Sequence, residues 1–181
     1  MSDSRQVALS KLLALLLRHR SADYGLHLDP EGFVPLDALL AVINKQRGWH
    51  WVRAEHIERL LAEQTKRRYE LVDGDIRAIY GHSQVTAIQY EAIVPPALLL
   101  HGTARRFVDA ILRDGLRPMN RQYVHLTDEF ALAELTGKRR DPRPAIIRID
   151  AQRAHAAGLE FYRADQGVFL TRHVPAEFLS V

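Results

Sequence analysis

The chain has 181 residues, 47% hydrophobic and 26% charged, with 25 Lys and Arg against 22 Asp and Glu and a formal net charge of +3. That length suits one good-sized domain or two small ones, the composition is that of an ordinary globular protein without a long disordered tail, and so slight a basic excess does not by itself establish a nucleic-acid partner. The absence of cysteine excludes disulfides, thiolate nucleophiles and Cys-ligated zinc, and fits a cytoplasmic protein. The cations are mostly arginine, whose planar fork suits bidentate contact with phosphate.

Leu9, Leu12, Leu13 and Leu16 recur at three- and four-residue spacing, which predicts a helix over residues 6 to 20. The apolar run Leu12 to Leu17 is too short to span a bilayer, so no membrane association is expected. Asp29-Pro30-Glu31-Gly32 marks a turn, and Phe33-Val34 a short strand bounded by Pro35. Helices are predicted over residues 36 to 43 and 53 to 63. The period then falls to two at Tyr69 and Leu71, and Asp73-Gly74 turns the chain into a second short strand at Ile76 and Ile79. Helices followed by a hairpin resemble a winged-helix lobe.

Residues 81 to 96 hold the expected boundary, closed by Pro95-Pro96. Leu98 to Leu100 read as a strand running into His101-Gly102-Thr103. Residues 104 to 114 read as an amphipathic helix carrying Phe107, Val108, Ile111 and Leu112, with Gly115 as its C-cap. Val124 and Leu126 suit a strand, and Thr127 or Asp128 a cap for a helix through Leu135. A buried strand is expected over residues 145 to 149, a helix over 151 to 156, and two strands around the Asp165-Gln166-Gly167 turn. The fold class is α+β.

The chain contains no GxGxxG, no GxxxxGK[ST] and no HExxH, and no metal is assigned. Arg18-His19 at a helix end reads either as a favourable dipole contact or as an anion clamp. Arg67-Arg68 and Arg77 flank the predicted hairpin, and Gly81-His82-Ser83 places a backbone donor, an imidazole and a hydroxyl together. In LLHGTA, His101 ends a strand, Gly102 permits close approach of a ligand and Thr103 caps the next helix or donates to a ligand. The bland alternative is an ordinary strand-turn-helix junction. Arg121 and His125 lie in MNRQYVHLT, where Tyr123 and His125 share one strand face and His125 reads equally as a core residue. Glu134 and Glu160 are possible bases.

In order along the chain, LSKLLALLLRH (9 to 19), DPEGFVPLDALL (29 to 40), KRRYEL (66 to 71), IRAIYGHS (76 to 83), LLHGTARRFVDAILRDGLRP (99 to 118), RQYVHLT (121 to 127) and GLEFYRADQGVFLTRHVPAEFL (158 to 179) closely resemble the Tpt1/KptA family of RNA 2'-phosphotransferases. The resemblance implies two lobes with a cleft between them. Residues 1–92 would form a winged-helix lobe that binds RNA phosphate, and residues 93–181 an ADP-ribosyltransferase-like lobe that binds NAD. It carries the family's Arg-His-Arg-Arg catalytic group onto Arg18, His19, Arg68 and Arg121. NAD contacts fall on His101, Gly102, Thr103, His125, Gly167 and Val168, and substrate contacts on Arg77, His82 and Ser83. The QGVFLT segment, like the family's NGVWLT, lacks the glutamate that many ADP-ribosyltransferases carry in their third motif. Ile79-Tyr80 before GHS, and RQYVHLT in place of the frequent RHHVHLS, depart from the family pattern.

The implied partners are NAD, consumed as co-substrate, and RNA carrying an internal 2'-phosphate, such as a tRNA splice junction; no obligate protein partner is implied. The implied reaction has two steps: the 2'-phosphate attacks the ribose carbon bearing nicotinamide, giving ADP-ribosylated RNA, and the neighbouring ribose hydroxyl then attacks phosphorus. The products are 2'-OH RNA, nicotinamide and ADP-ribose 1'',2''-cyclic phosphate. Two rival readings stand beside it: an ADP-ribosyltransferase that stops after the first step, and a non-catalytic RNA-binding module.

Overall fold

The computed structural model describes residues 3–64, 67–83 and 88–181, so Lys66 of the KRRYEL segment and residues 84–87 of the expected boundary lie outside the described residues. The fold is α+β, and the chain divides into two compact units, Met1–Gln89 and Tyr90–Val181.

The first unit opens with α1 (Asp3–Ala14), which runs into a π-helical turn over Leu15–His19. The predicted helix is therefore present but changes its winding for the last turn, where the Arg20 N–H reaches back to the Leu15 carbonyl at 2.9 Å. A π turn takes an extra residue, which resets which side chains face inward. Leu16 and Leu17, adjacent in sequence, are both fully buried beside Leu9 and Leu13. Arg18 and His19 follow directly on this widened turn.

Helices α2 (Leu36–Lys45) and α3 (Ala54–Ala62) bury Leu36, Leu39 and Ile43, and Ile57 and Leu60, on the faces their spacing predicts. They pack with α1 over a three-stranded antiparallel sheet of β1 (Phe33–Pro35), β2 (Tyr69–Val72) and β3 (Asp75–Ala78), in the order β1-β3-β2. β1 is an edge strand, which tolerates Pro35. The β2–β3 hairpin turns on Asp73 and Gly74, with φ of 50° and 90°, the two consecutive left-handed residues that a type I' turn requires.

The second unit holds two antiparallel sheets. One is ordered β10-β7-β5, from β5 (Leu98–Thr103), β7 (Ala145–Asp150) and β10 (Leu179–Ser180). The other is ordered β4-β8-β9-β6, from β4 (Ala92–Ile93), β6 (Val124–Leu126), β8 (Phe161–Asp165) and β9 (Val168–Thr171). Leu100 and Thr127 tie the sheets together by reciprocal backbone hydrogen bonds of 2.7 and 3.0 Å. Helices α4 (Val108–Asp114), α5 (Phe130–Gly137) and α6 (Ala151–Ala156) complete the unit, around a core that includes Leu99, Ile147, Phe161 and Phe169.

Three local expectations change. The segment 104 to 114 begins as a 3-10 turn, Arg105–Phe107, before α4. Val108 and Ile111 meet the core, whereas Phe107 and Leu112 are exposed. Neither Thr127 nor Asp128 is the N-cap of α5: that position is Glu129, whose N–H donates to Thr127 Oγ1 at 3.1 Å in a turn that precedes the helix.

Candidate active site

In the first unit, Arg68, Tyr69, Tyr80 and Ser83 hold the end of the π turn. Arg18 donates from Nη2 to the Arg68 carbonyl at 3.1 Å, and its own carbonyl accepts from the Ser83 N–H at 2.9 Å. The Arg18 guanidinium lies over the rings of Tyr69 and Tyr80, 5.2 and 5.4 Å from their centroids. Two aromatic faces and a carbonyl thus fix its plane. His19 is exposed, and its Nδ1 lies 2.7 Å from Ser83 Oγ. Arg18, His19, Arg68 and Ser83 therefore come together although 64 residues separate His19 from Ser83. Gln64, to which nothing in the sequence drew attention, orients Arg68: its Oε1 accepts from the Arg68 N–H at 2.8 Å and its Nε2 donates to the Tyr69 carbonyl at 2.9 Å.

Arg68 is exposed, and its side chain has no hydrogen bond or ion pair among the described residues. Arg77 contrasts with it. Opposite Glu70 in the β2–β3 register, Arg77 contacts that carboxylate at 2.5 Å, donates to the Glu31 carbonyl at 3.0 Å and lies over Phe33 at 4.4 Å. The other oxygen of Glu70 accepts from Arg67 at 2.5 Å. One carboxylate thus engages Arg67 and Arg77 but not Arg68.

His82 is 2% exposed, so its imidazole sits beneath this cationic surface. Burial, followed by the like charges of Arg18, His19 and Arg77, pushes its pKa down to about 3. The sign of the linkage follows directly: the unfolded chain protonates His82 near pH 6.5, while the folded chain keeps it neutral to about pH 3. The stabilising difference is complete above the unfolded value and is lost as pH falls through this window. From about pH 7 to pH 5 we expect His82 to cost roughly 2 kcal/mol of folding stability. Urea unfolding across that range checks this. His82→Gln should flatten the acid limb, and equal slopes in wild type and variant would refute the assignment.

In the second unit, β5 and β6 bring two histidines together. His101 Nδ1 lies 2.9 Å from the His125 carbonyl, so this nitrogen carries the proton and Nε2 faces away from that bond. His125 repeats the arrangement, with Nδ1 3.1 Å from the Tyr123 carbonyl. Burial first, and the charge of Arg121 as well, lower the His101 pKa against the raising effect of its bond to His125, so His101 is neutral at neutral pH. Thr103 is half-buried at the end of β5. Arg121 is exposed on the loop before β6, where its N–H donates to the Pro118 carbonyl at 3.1 Å. Gly167 turns β8 into β9 at a φ of 68°, with buried Val168 beside it. A Cβ on Gly167 would stand 2.6 Å from Glu129 Oε1 and 3.6 Å from Asp128 Oδ1, so two carboxylates border this turn. Sequence reasoning did not place them there, because they arrive from the α5 side of the unit.

A model of the family described as RNA 2'-phosphotransferase, Tpt1/KptA, matches residues 4–173. The chain belongs to the Tpt1/KptA family. It is 45% identical to a "probable RNA 2'-phosphotransferase" of Burkholderia lata, over 94% of this chain and 88% of that one. It is 39% identical to one of Bacillus thuringiensis subsp. konkukian over 96% and 94%, and 37% identical to one of Pyrococcus furiosus over 97% and 95%. Tpt1/KptA membership makes the chain an enzyme of the RNA 2'-phosphotransferase class. Among the described residues, no helix of this Tpt1/KptA protein is long and apolar enough to cross a membrane.

Proposed function

We propose that this chain transfers an internal RNA 2'-phosphate to ADP-ribose, consuming NAD as co-substrate and passing through ADP-ribosylated RNA. The products are 2'-OH RNA, nicotinamide and ADP-ribose 1'',2''-cyclic phosphate, with tRNA as the substrate class and the cytoplasm as the setting. The observation that carries the reading is the convergence of Arg18, His19, Arg68 and Ser83 on one surface, where Arg18 is pinned by two aromatic rings and His19 by a hydroxyl. The helices and three-stranded sheet of the first unit support a winged-helix lobe, and the paired sheets of the second, which take in β4, support an ADP-ribosyltransferase-like lobe.

The 2'-phosphate is already anionic, so it needs alignment more than deprotonation. Arg18 supplies a fixed donor to its oxygens, the exposed Arg68 guanidinium a second, and Arg121, in the second unit, is the fourth member of the proposed catalytic group. Because Arg18 is held before substrate arrives, little reorganisation is required as charge builds on phosphorus. His19, with Nδ1 held by Ser83, presents Nε2 to protonate the departing RNA oxygen. Arg77 and His82 serve the site by position, since Arg77 is committed to Glu70 and His82 is buried.

The residues of the second unit suit a dinucleotide. His101 is neutral and locked in one tautomer, so its Nε2 meets a polar group without adding charge. Thr103, His125 and the Gly167-Val168 turn are the further contacts we assign to NAD, whose bond to nicotinamide supplies the electrophilic ribose carbon.

The test combines an oligoribonucleotide carrying one internal 2'-phosphate with NAD and the protein, resolving RNA and nucleotide products together. Free 2'-OH RNA with cyclic-phosphorylated ADP-ribose is the expected result. An accumulating RNA adduct without the cyclic phosphate would replace this reading with a one-step ADP-ribosyltransferase, and unchanged substrates with an RNA-binding module.

A further inference from the structure

At the far end of α1 from Arg18, a pocket of about 470 Å³ is lined by Arg5, Ala8, Gly48, Trp49, His50 and Trp51. Trp49 and Trp51 stack with centroids 6.0 Å apart and planes inclined by 24°. The Arg5 guanidinium lies 5.3 Å from the Trp51 centroid. His56 meets Trp51 edge-on at 5.0 Å, and Trp51 Nε1 donates to the Gly48 carbonyl at 2.9 Å, which fixes the ring. Both indoles are half-buried and packed against the core of the first unit, so they are anchored from below and partly open above. The surrounding segment, residues 38 to 54, holds Lys45, Arg47, His50 and Arg53 and no Asp or Glu.

Fixed aromatic faces interleaved with arginine, in a stretch without acids, are the combination that stacks bases and attracts the backbone of a single strand. We propose that the Trp49–Trp51–Arg5 pocket is a stacking site for a nucleobase of single-stranded RNA flanking the 2'-phosphate. The proposal rests on the RNA reading of the first unit. Thirteen residues separate Arg5 from Arg18 along the helix, roughly 20 Å at helical rise. That distance corresponds to about six nucleotides of a stacked strand. A dinucleotide bound at Arg18 falls short of the pocket, and a long oligomer reaches it.

The chain has two tryptophans, both in this pocket, so all its tryptophan fluorescence comes from the site. Titration with an unmodified single-stranded RNA of about 20 nucleotides, without NAD, should quench that fluorescence saturably, and the apparent affinity should fall with salt. The same sequence as a duplex should quench little, because its bases are already stacked. In turnover assays, Trp51→Leu should raise KM about tenfold for a 2'-phosphorylated RNA of that length while leaving kcat, and KM for a 2'-phosphorylated dinucleotide, unchanged. Trp51→Phe should recover most of the loss. If Trp51→Leu does not fold, the exposed Arg5→Glu replaces it and should weaken quenching by the single strand.

Turnover of both substrates by wild type without any quenching, or equal quenching by duplex and single strand, would overturn the stacking site and leave the phosphotransferase reading intact. Quenching by single-stranded RNA in a protein that turns over neither substrate would do the reverse.

Discussion

The Arg68→Ala variant loses two to three orders of magnitude in kcat/KM towards an internally 2'-phosphorylated RNA, while unfolding of the protein changes by about 0.5 kcal/mol or less. The first figure is that expected for removing one donor from a transferring phosphoryl group, and the second that for an exposed side chain outside the core. Arg77→Ala shows the opposite pattern. It gives up the Glu70 pair, the bond to the Glu31 carbonyl and the Phe33 face, and leaves a half-buried carboxylate with Arg67 as its remaining cation from this group. About 1–2 kcal/mol of stability is lost, with less than a tenfold change in kcat/KM. Steady-state kinetics paired with urea unfolding of both variants measure the two effects. If Arg77→Ala abolishes turnover in a protein of unchanged stability, the two arginines exchange roles.

That contrast depends on strand register, which marks where sequence reading ends. Arg68 and Arg77 are equally basic neighbours of the same hairpin in the sequence. Only the pairing of Glu70 with Arg77 across β2 and β3 shows which one is committed. The elements with strong local signals were legible: the leucine spacing of α1, the Asp73-Gly74 hairpin turn, and the Gly167 turn between β8 and β9. The π turn at Leu15–His19 was not, because an α-helix and a π turn use the same residue types, and only the bond from the Arg20 N–H to the Leu15 carbonyl, five residues back, decides between them. Strands β4 and β10 have two residues each, too few for any period to register, and they exist through their partners Phe161–Tyr162 and Arg148–Ile149. His19 and Ser83 were each recognisable as polar groups near glycine or arginine, but their 2.7 Å contact is a tertiary fact. Trp49 and Trp51 passed without notice, because half-buried indoles and core indoles have the same sequence signature.

Gly102 is where a ligand argument and a packing argument make different predictions, and Gly102→Ala separates them. Read from the HGT segment alone, the glycine permits close approach of a ligand, which the family resemblance implies is NAD, and an added methyl would weaken NAD binding in a normally folded protein. The structure places α5 directly over it. A Cβ at position 102 would stand 1.8 Å from the Ala133 carbonyl oxygen, 2.6 Å from its carbon and 3.0 Å from the Gly137 nitrogen. All three are backbone atoms, so no rotamer change relieves the overlap, and α5 must move off β5. Gly137 faces it from the helix: its own added Cβ would lie 3.2 Å from the Gly102 carbonyl carbon and 2.5 Å from Pro144 Cβ. We expect Gly102→Ala to destabilise the second unit by roughly 3 kcal/mol or more, above the usual cost of an inserted methyl because backbone has to yield. Gly158→Ala is the control: its φ of 96° is unfavourable for alanine, but no atom lies within 4 Å of the added carbon. A loss of about 1 kcal/mol is expected there. Thermal and urea unfolding of both variants, together with NAD titration of whatever folded protein remains, give the answer. A Gly102→Ala protein with wild-type stability and weakened NAD binding would mean that α5 yields readily and that the glycine is kept for the ligand. A large loss of stability would mean that the HGT glycine first seats a helix on a strand, and that the strand then holds His101 against the His125 carbonyl.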